Sequence, residues 1–305
     1  MRIILVGQAA FAAEVLDRLR QDGHEVVAVY CPPDAAPDKP DPVKARAVAL
    51  GIPVRQHASL KDPKVREEWQ ELHPDLAVLA YVTQIVPPQV FVVPRLGSIC
   101  FHPSLLPKYR GGSAIPWQII KGETKTGVTV FWVDQGIDTG PILLQKEATI
   151  DPDDTAASLY FNKLFPLGVE AVVEAVRLID RGVAPRIPQD ESQATYDPLC
   201  RDEHAEVDWS QPIEQVYNLI RGCDPQPGAY NRVRGEKLRF FDARKTGARL
   251  PDSVPGTVLE IGPNGLVVAA QGGAIVVKRL RYGSGAKRPA AEVAQEIGLS
   301  TGHRF

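Results

Sequence analysis

Cysteine is scarce in this chain of 305 residues, and the four present, Cys31, Cys100, Cys200 and Cys223, stand far apart. No C-x-x-C pair occurs, so neither a zinc site nor a disulfide framework is expected. Neither sign of charge dominates: 35 Lys and Arg against 37 Asp and Glu leave a formal net charge of -2. Such a balance offers no global attraction to nucleic acid or to an anionic membrane. No run approaches the roughly 18 apolar residues that span a bilayer. The opening Met1 to Gly7 is too short for the core of a signal peptide and carries no cleavage site. The expectation is a cytoplasmic protein with no metal and no membrane partner. The first strand is followed by Gly7-Gln8-Ala9 without a G-x-G-x-x-G fingerprint, so that turn reads as a tight strand-to-helix connection. Internal repeats and low-complexity segments are also missing.

What is present is an ordinary globular balance, 44% hydrophobic and 24% charged, over a length that suits about two domains. Ile3 to Val6 reads as a buried strand, and Phe11, Val15, Leu16 and Leu19 then recur at helical spacing. Glu25 to Tyr30, Asp75 to Ala80 and Gly97 to Phe101 are further apolar strands. Their hydrophobicity is continuous rather than alternating, which predicts a parallel sheet covered on both faces. Cys31 to Pro42 is too rich in proline to be anything but a loop. Thr126 to Val133 and Pro141 to Ile150 add two strands, and a long helix is predicted from Asp154 to Asp180. Beyond a polar, proline-bearing stretch, Pro212 to Arg221 predicts a helix. Short strands follow at Lys237–Phe241, Gly256–Ile261, Leu266–Ala270 and Ala274–Leu280. Turn signals at short intervals suggest a small barrel. The expected organisation is an α/β, Rossmann-like domain over 1–185, a linker over 186–205 and a smaller, OB-like β-barrel over 206–305.

Two stretches carry the chemistry. In Cys100-Phe101-His102-Pro103-Ser104-Leu105-Leu106-Pro107, a histidine ends a buried strand. Ligands of open α/β sheets bind outside the carboxyl ends of strands, and a histidine there can exchange a proton near neutral pH. In Asp134-Gln135-Gly136-Ile137-Asp138-Thr139-Gly140, the loop follows another apolar strand and is expected at the same edge of the sheet. Asp134 reads as turn chemistry, since Asp-x-Gly bends a chain. Asp138 reads as the carboxylate that orients or charge-stabilises the imidazole.

These two motifs together resemble the formyltransferase family that uses 10-formyltetrahydrofolate, and the likeness extends over nearly the whole chain. Val6-Gly7-Gln8, Gly23-His24-Glu25-Val26-Val27 and Phe101-His102-Pro103-Ser104 look most like the hydrolase domain of 10-formyltetrahydrofolate dehydrogenase. The resemblance implies formyl transfer through a tetrahedral intermediate, with His102 as donor to the oxyanion or carrier of the proton and Asp138 as its partner. It implies that the folate donor lies against Gln84, Ile85 and Val86 and the loop bearing Asp138. Transferases of this family usually carry asparagine two residues before the histidine; here that position is Cys100, a weaker donor. Cys100 is a candidate for the chemistry or for the pocket wall.

Three acceptors compete: water, a small amine, and the amine of an aminoacylated tRNA. A tRNA enzyme needs a basic surface. The loop after the second strand, Pro32 to Asp41, holds three aspartates against one lysine. Hydrolysis or a small amine is therefore favoured over methionyl-tRNA formyltransferase activity, although the basic residues of the C-terminal region keep tRNA open. A folate-binding module that has lost its chemistry is the reading from another class; retention of His102 and Asp138 argues against it.

Overall fold

The computed structural model describes residues 1–36, 38–246 and 253–305. Pro37, within the proline-rich loop, lies outside them. The chain divides into two compact units. The first comprises 1–112, 127–148 and 162–196; the second comprises 113–126, 149–161 and 197–305.

The first unit is built on a seven-stranded sheet in the order β3-β2-β1-β4-β5-β6-β7. Its strands are β1 (Arg2–Gly7), β2 (Glu25–Tyr30), β3 (Val54–Arg55), β4 (Leu76–Ala80), β5 (Ser98–His102), β6 (Lys125–Trp132) and β7 (Ile142–Thr149). Strands β1 to β5 pair in parallel. All five residues of β4 and five of the six in β1 are buried, as continuous apolar runs require. Helices α1 (Ala9–Gln21), α2 (Pro42–Ala49), α3 (Pro63–Leu72) and α4 (Pro88–Phe91) connect these strands, and α5 (Ala114–Ile120) follows β5. The sheet is thus mostly parallel and Rossmann-like, as expected. One element departs from the simplest reading: β6 runs antiparallel to β5, pairing Trp132 with Ile99 and Thr129 with His102.

The long helix expected over Asp154 to Asp180 is interrupted. It consists of α6 (Ala156–Leu159), a π-helical turn at Tyr160–Leu164, and α7 (Phe165–Asp180). Pro166 is the second residue of α7. Proline brings no N–H to the helical ladder and its ring crowds the preceding turn, so the wider turn falls where the regular ladder fails. Thr155 caps the start with a reciprocal bond to Ser158.

The second unit holds a six-stranded, barrel-like antiparallel sheet, ordered β10-β11-β12-β9-β8 along its main path, with the short β13 (Arg288–Pro289) pairing β12 off that path. Helix α8 (Ile213–Gly222) precedes β8 (Tyr230–Val233), β9 (Glu236–Thr246), β10 (Val258–Gly262), β11 (Gly265–Ala270) and β12 (Gly273–Tyr282), and α9 (Ala290–Glu296) closes the unit. Its core gathers Trp209, Tyr217, Phe240, Leu266, Ile275 and Val293. Strand β8 is short and mixed in polarity, and nothing in its sequence announces it; it forms by pairing with β9. The segment expected as a linker, 186–205, is not slack. Ile187 exchanges two backbone bonds with Ile142, 2.7 and 2.9 Å, and Thr195 bonds to Tyr109 and Arg110.

Candidate active site

His102 ends β5, and its position is fixed from behind. Phe101, pointing the other way along the alternating strand, packs on Phe11 with ring centroids 4.4 Å apart and the planes tilted by 30°. A methyl group on Gly168 would come within 2.4 Å of the Phe101 ring, so α7 presses directly on this strand. His102 itself is buried, 5% exposed. Its Nε2 lies 2.8 Å from the Tyr109 carbonyl oxygen. A carbonyl can only accept, so Nε2 carries the proton of that bond. In the neutral ring Nδ1 then carries the lone pair. Nδ1 faces Asp138 Oδ2 at 3.6 Å, longer than a hydrogen bond and within ion-pair range.

The sequence placed the Asp138 loop at the carboxyl edge of the sheet because it follows an apolar strand. Asp138 does lie beside His102, but the antiparallel course of β6 changes how the loop gets there. Trp132, at the end of β6, lies beside Ile99 near the start of β5. The loop must therefore travel back along β5 to bring Asp138 to His102. Asp138 Oδ2 accepts the Gly111 N–H at 2.8 Å. Gln189 Nε2 donates to the carbonyls of Asp138 and Gly140, at 2.9 and 2.8 Å. Arg110 binds both Gln189 Oε1, at 2.8 Å, and the Glu191 carboxylate, at 2.6 and 2.9 Å. Asp134 accepts from Gly136 N–H and from the Thr139 hydroxyl, so it shapes the turn, as its Asp-x-Gly sequence suggested.

Tyr109 and Asp138, the two partners of His102, both have left-handed backbones, φ 60° and 57°. Such conformations are uncommon outside glycine and persist where neighbouring bonds over-determine them. Gln189, Thr195 and Gly111 supply those bonds. None of the three was legible as a site residue. Gln189 and Thr195 sit in a polar stretch without periodicity, and Gly111 contributes only a main-chain N–H. Gly140 has a different reason to be glycine: a Cβ there would lie 1.7 Å from the Trp132 carbonyl oxygen. Gly140→Ala is expected to destabilise the protein by about 1–3 kcal/mol through forced movement of this loop, measurable by denaturant titration. Unchanged stability would mean the loop has another way to close.

Cys100 shares a strand face with His102. It packs against the apolar cluster that includes Leu79, Val86 and Phe91. Burial, and then the Asp138 charge, push its thiol well above the ordinary cysteine range. Its Sγ also bonds to the Phe101 carbonyl at 3.5 Å. Such a shift disfavours the thiolate. Val86 is buried in the same cluster, and Ile85 is 60% exposed. The Gln84 side chain is engaged with the chain itself, accepting the Leu60 N–H at 3.1 Å. Among the described residues there is no group of three or more His, Cys, Asp or Glu side chains arranged to hold a metal ion.

Comparison with known proteins gives the following. Residues 1–176 match a family described as formyl transferase, and residues 200–297 match the formyl transferase C-terminal domain. The mitochondrial 10-formyltetrahydrofolate dehydrogenase of Homo sapiens is 40% identical over 312 residues, covering 96% of this chain and 33% of that protein. The chain spans about a third of the length of such relatives. The methionyl-tRNA formyltransferase of Syntrophus aciditrophicus is 38% identical over 308 residues, covering 98% of this chain and 97% of its own length. In fold, the chain is similar to HypX from Aquifex aeolicus, crystallised with tetrahydrofolic acid. The TM-score is 0.74 at 24% identity, over 99% of this chain and 48% of that one.

Proposed function

The chain belongs to the formyl transferase family, and from that premise we propose that it takes the formyl group from 10-formyltetrahydrofolate and delivers it to water or a small amine. The observation that carries the reading is the buried His102 whose Nδ1 faces Asp138 Oδ2 at 3.6 Å while its Nε2 is tied to Tyr109. That arrangement leaves one nitrogen for proton transfer and one carboxylate to stabilise the imidazolium that results.

The steps balance without a metal. Water or an amine attacks the formyl carbon, the carbonyl electrons move to oxygen, and the nucleophile's proton passes to His102 Nδ1. The tetrahedral intermediate collapses, the bond to the folate N10 breaks, and His102 returns the proton to N10. With water the products are tetrahydrofolate, formate and the proton that formic acid releases. The pterin rests against the Gln84-Ile85-Val86 loop, with Ile85 as the exposed apolar contact, and Asp138 borders it. Cys100 forms the wall beside the formyl group and leaves the oxyanion without the amide donor that asparagine would give.

The second unit supports the choice of acceptor. Five of its basic side chains pair with its own carboxylates. Lys237 and Arg239 close on Asp202 at 2.5 and 2.8 Å, and Lys245 closes on Glu214 at 2.6 Å. Lys287 closes on Asp242 at 3.3 Å, and Arg288 pairs with Glu296. The two cations hold the Asp202 carboxyl far below the usual carboxylate range. Cations committed this way are poorly placed to neutralise the phosphates of a tRNA.

Incubation with 10-formyltetrahydrofolate alone is expected to release formate, or, with a small amine added, to yield the N-formylated amine as tetrahydrofolate appears. Methionyl-tRNA should not accelerate the loss of the donor. Turnover that depends on methionyl-tRNA and falls steeply with salt would replace this acceptor by tRNA and leave the formyl chemistry standing.

A further inference from the structure

Three consecutive residues serve the two groups at the candidate site. The Tyr109 carbonyl accepts from His102 Nε2, the Arg110 side chain binds Gln189, and the Gly111 N–H donates to Asp138 Oδ2. The Gly111 bond fixes one carboxylate oxygen of Asp138 and leaves the main chain behind it to be held by something else. That main chain is in an uncommon conformation, φ 57°, which persists only where neighbouring bonds favour it. Gln189 supplies such bonds. Its Nε2 donates to the Asp138 carbonyl itself, at 2.9 Å, and to the Gly140 carbonyl, at 2.8 Å. One amide group thus clasps the turn on both sides of Thr139.

The amide has a single workable orientation. Both carbonyls can only accept, so the NH₂ must face them and both its protons are used. Oε1 then faces Arg110 Nη2 at 2.8 Å, and a guanidinium can only donate. Arg110 is fixed in turn. Its side chain is 7% exposed, it grips the Glu191 carboxylate with Nη1 and Nη2, and its own N–H donates to the Thr195 carbonyl at 3.0 Å. A bidentate guanidinium–carboxylate pair holds direction as well as distance. The clasp on Asp138 is therefore backed by a chain of oriented bonds that ends at an exposed carboxylate.

We propose that Gln189 is a positioning residue for formyl transfer: by clasping the Asp138 and Gly140 carbonyls it keeps Asp138 in its left-handed conformation, and so sets the 3.6 Å separation between the Asp138 carboxylate and His102 Nδ1. This rests on the reading of His102 and Asp138 as the pair that handles the proton. Gln189 acts through Asp138 and not on the formyl group.

The test is a double-variant cycle on the full chain with Asp138→Asn. Gln189→Met keeps the reach of the side chain and removes the amide. Alone, it is expected to lower kcat for 10-formyltetrahydrofolate about 10²-fold with KM nearly unchanged, the cost of displacing one reacting group by about 1 Å. In the Asp138→Asn background the same substitution should cost less than about twofold, because no carboxylate charge is left to misplace. A residue that served only the fold would show the same loss in both backgrounds. Gln189→Asn, one methylene shorter and still polar, covers the case in which Gln189→Met does not fold; it should lose about tenfold or more in kcat. Crystal structures read the position without turnover. In either variant the His102 Nδ1 to Asp138 Oδ2 separation is expected to open beyond about 4 Å, out of ion-pair range. A folded variant with the wild-type separation, with wild-type kcat, or with an equal loss in the Asp138→Asn background overturns the proposal. A wild-type chain inactive on the formyl donor would sink the proposed function, and the separation would still decide whether Gln189 positions Asp138.

Discussion

His102→Ala is expected to lower turnover of 10-formyltetrahydrofolate by about 10²–10⁴-fold, the usual cost of losing a positioned acid–base group. The expectation follows from the division of labour on the imidazole. Nε2 is committed to Tyr109 at 2.8 Å, so only Nδ1 is available to receive and return a proton. Alanine removes that nitrogen and also leaves the Tyr109 carbonyl without its donor, a loss of about 1 kcal/mol in stability. The structural cost is small beside the expected kinetic one. Measuring kcat together with a denaturation curve separates the two. A folded variant with near-normal kcat would remove His102 from the chemistry.

The second large effect belongs to Asp138, and the choice of substitution decides what is learned. Asp138 has a left-handed backbone and accepts the Gly111 N–H. Alanine would lose the charge and that bond, and would pay about 1–2 kcal/mol for its backbone conformation. Asparagine tolerates the left-handed region and still offers an oxygen to Gly111. Asp138→Asn therefore isolates the charge, and a loss of about 10²–10⁴-fold in kcat is expected with stability nearly unchanged. If Asp138→Asn turned over normally and only Asp138→Ala failed, Asp138 would be a loop-shaping residue like Asp134. Because the two groups act on one proton, the double variant is expected to be little worse than either single one. Additive losses would show that they act in separate steps.

How far the sequence reaches into this fold depends on how each element is stabilised. Strands β1, β2, β4 and β5 were legible because parallel strands buried on both faces must be continuously apolar. Helices α2 and α3 lie in polar, proline-bearing stretches that the apolar pattern passed over. Each is instead marked by an aspartate cap followed by proline, Asp41-Pro42 and Asp62-Pro63. Strand β9 was read as Lys237–Phe241 and runs on to Thr246. Its outer half is polar and is held by backbone bonds to β12, which no local pattern encodes.

The sequence by itself placed two polar groups at its two motifs: an imidazole at the end of a buried strand, and a carboxylate in a loop that Asp134 and Gly140 shape. Those features are local, because strand burial, turn formation and close backbone approach each depend on a few consecutive residues. What only the tertiary structure decided is how the two meet. The antiparallel course of β6 sends the Asp138 loop back along β5. Gln189 and Thr195, from a segment that reads as linker, hold it and the Tyr109 loop in place. Asp41 reaches across 32 residues of chain to the N-terminus of α1. These are hydrogen bonds between parts of the chain remote in sequence, made by residues whose types are common in any loop. Their partners are set by strand order and direction, and no periodicity, spacing or composition carries that information.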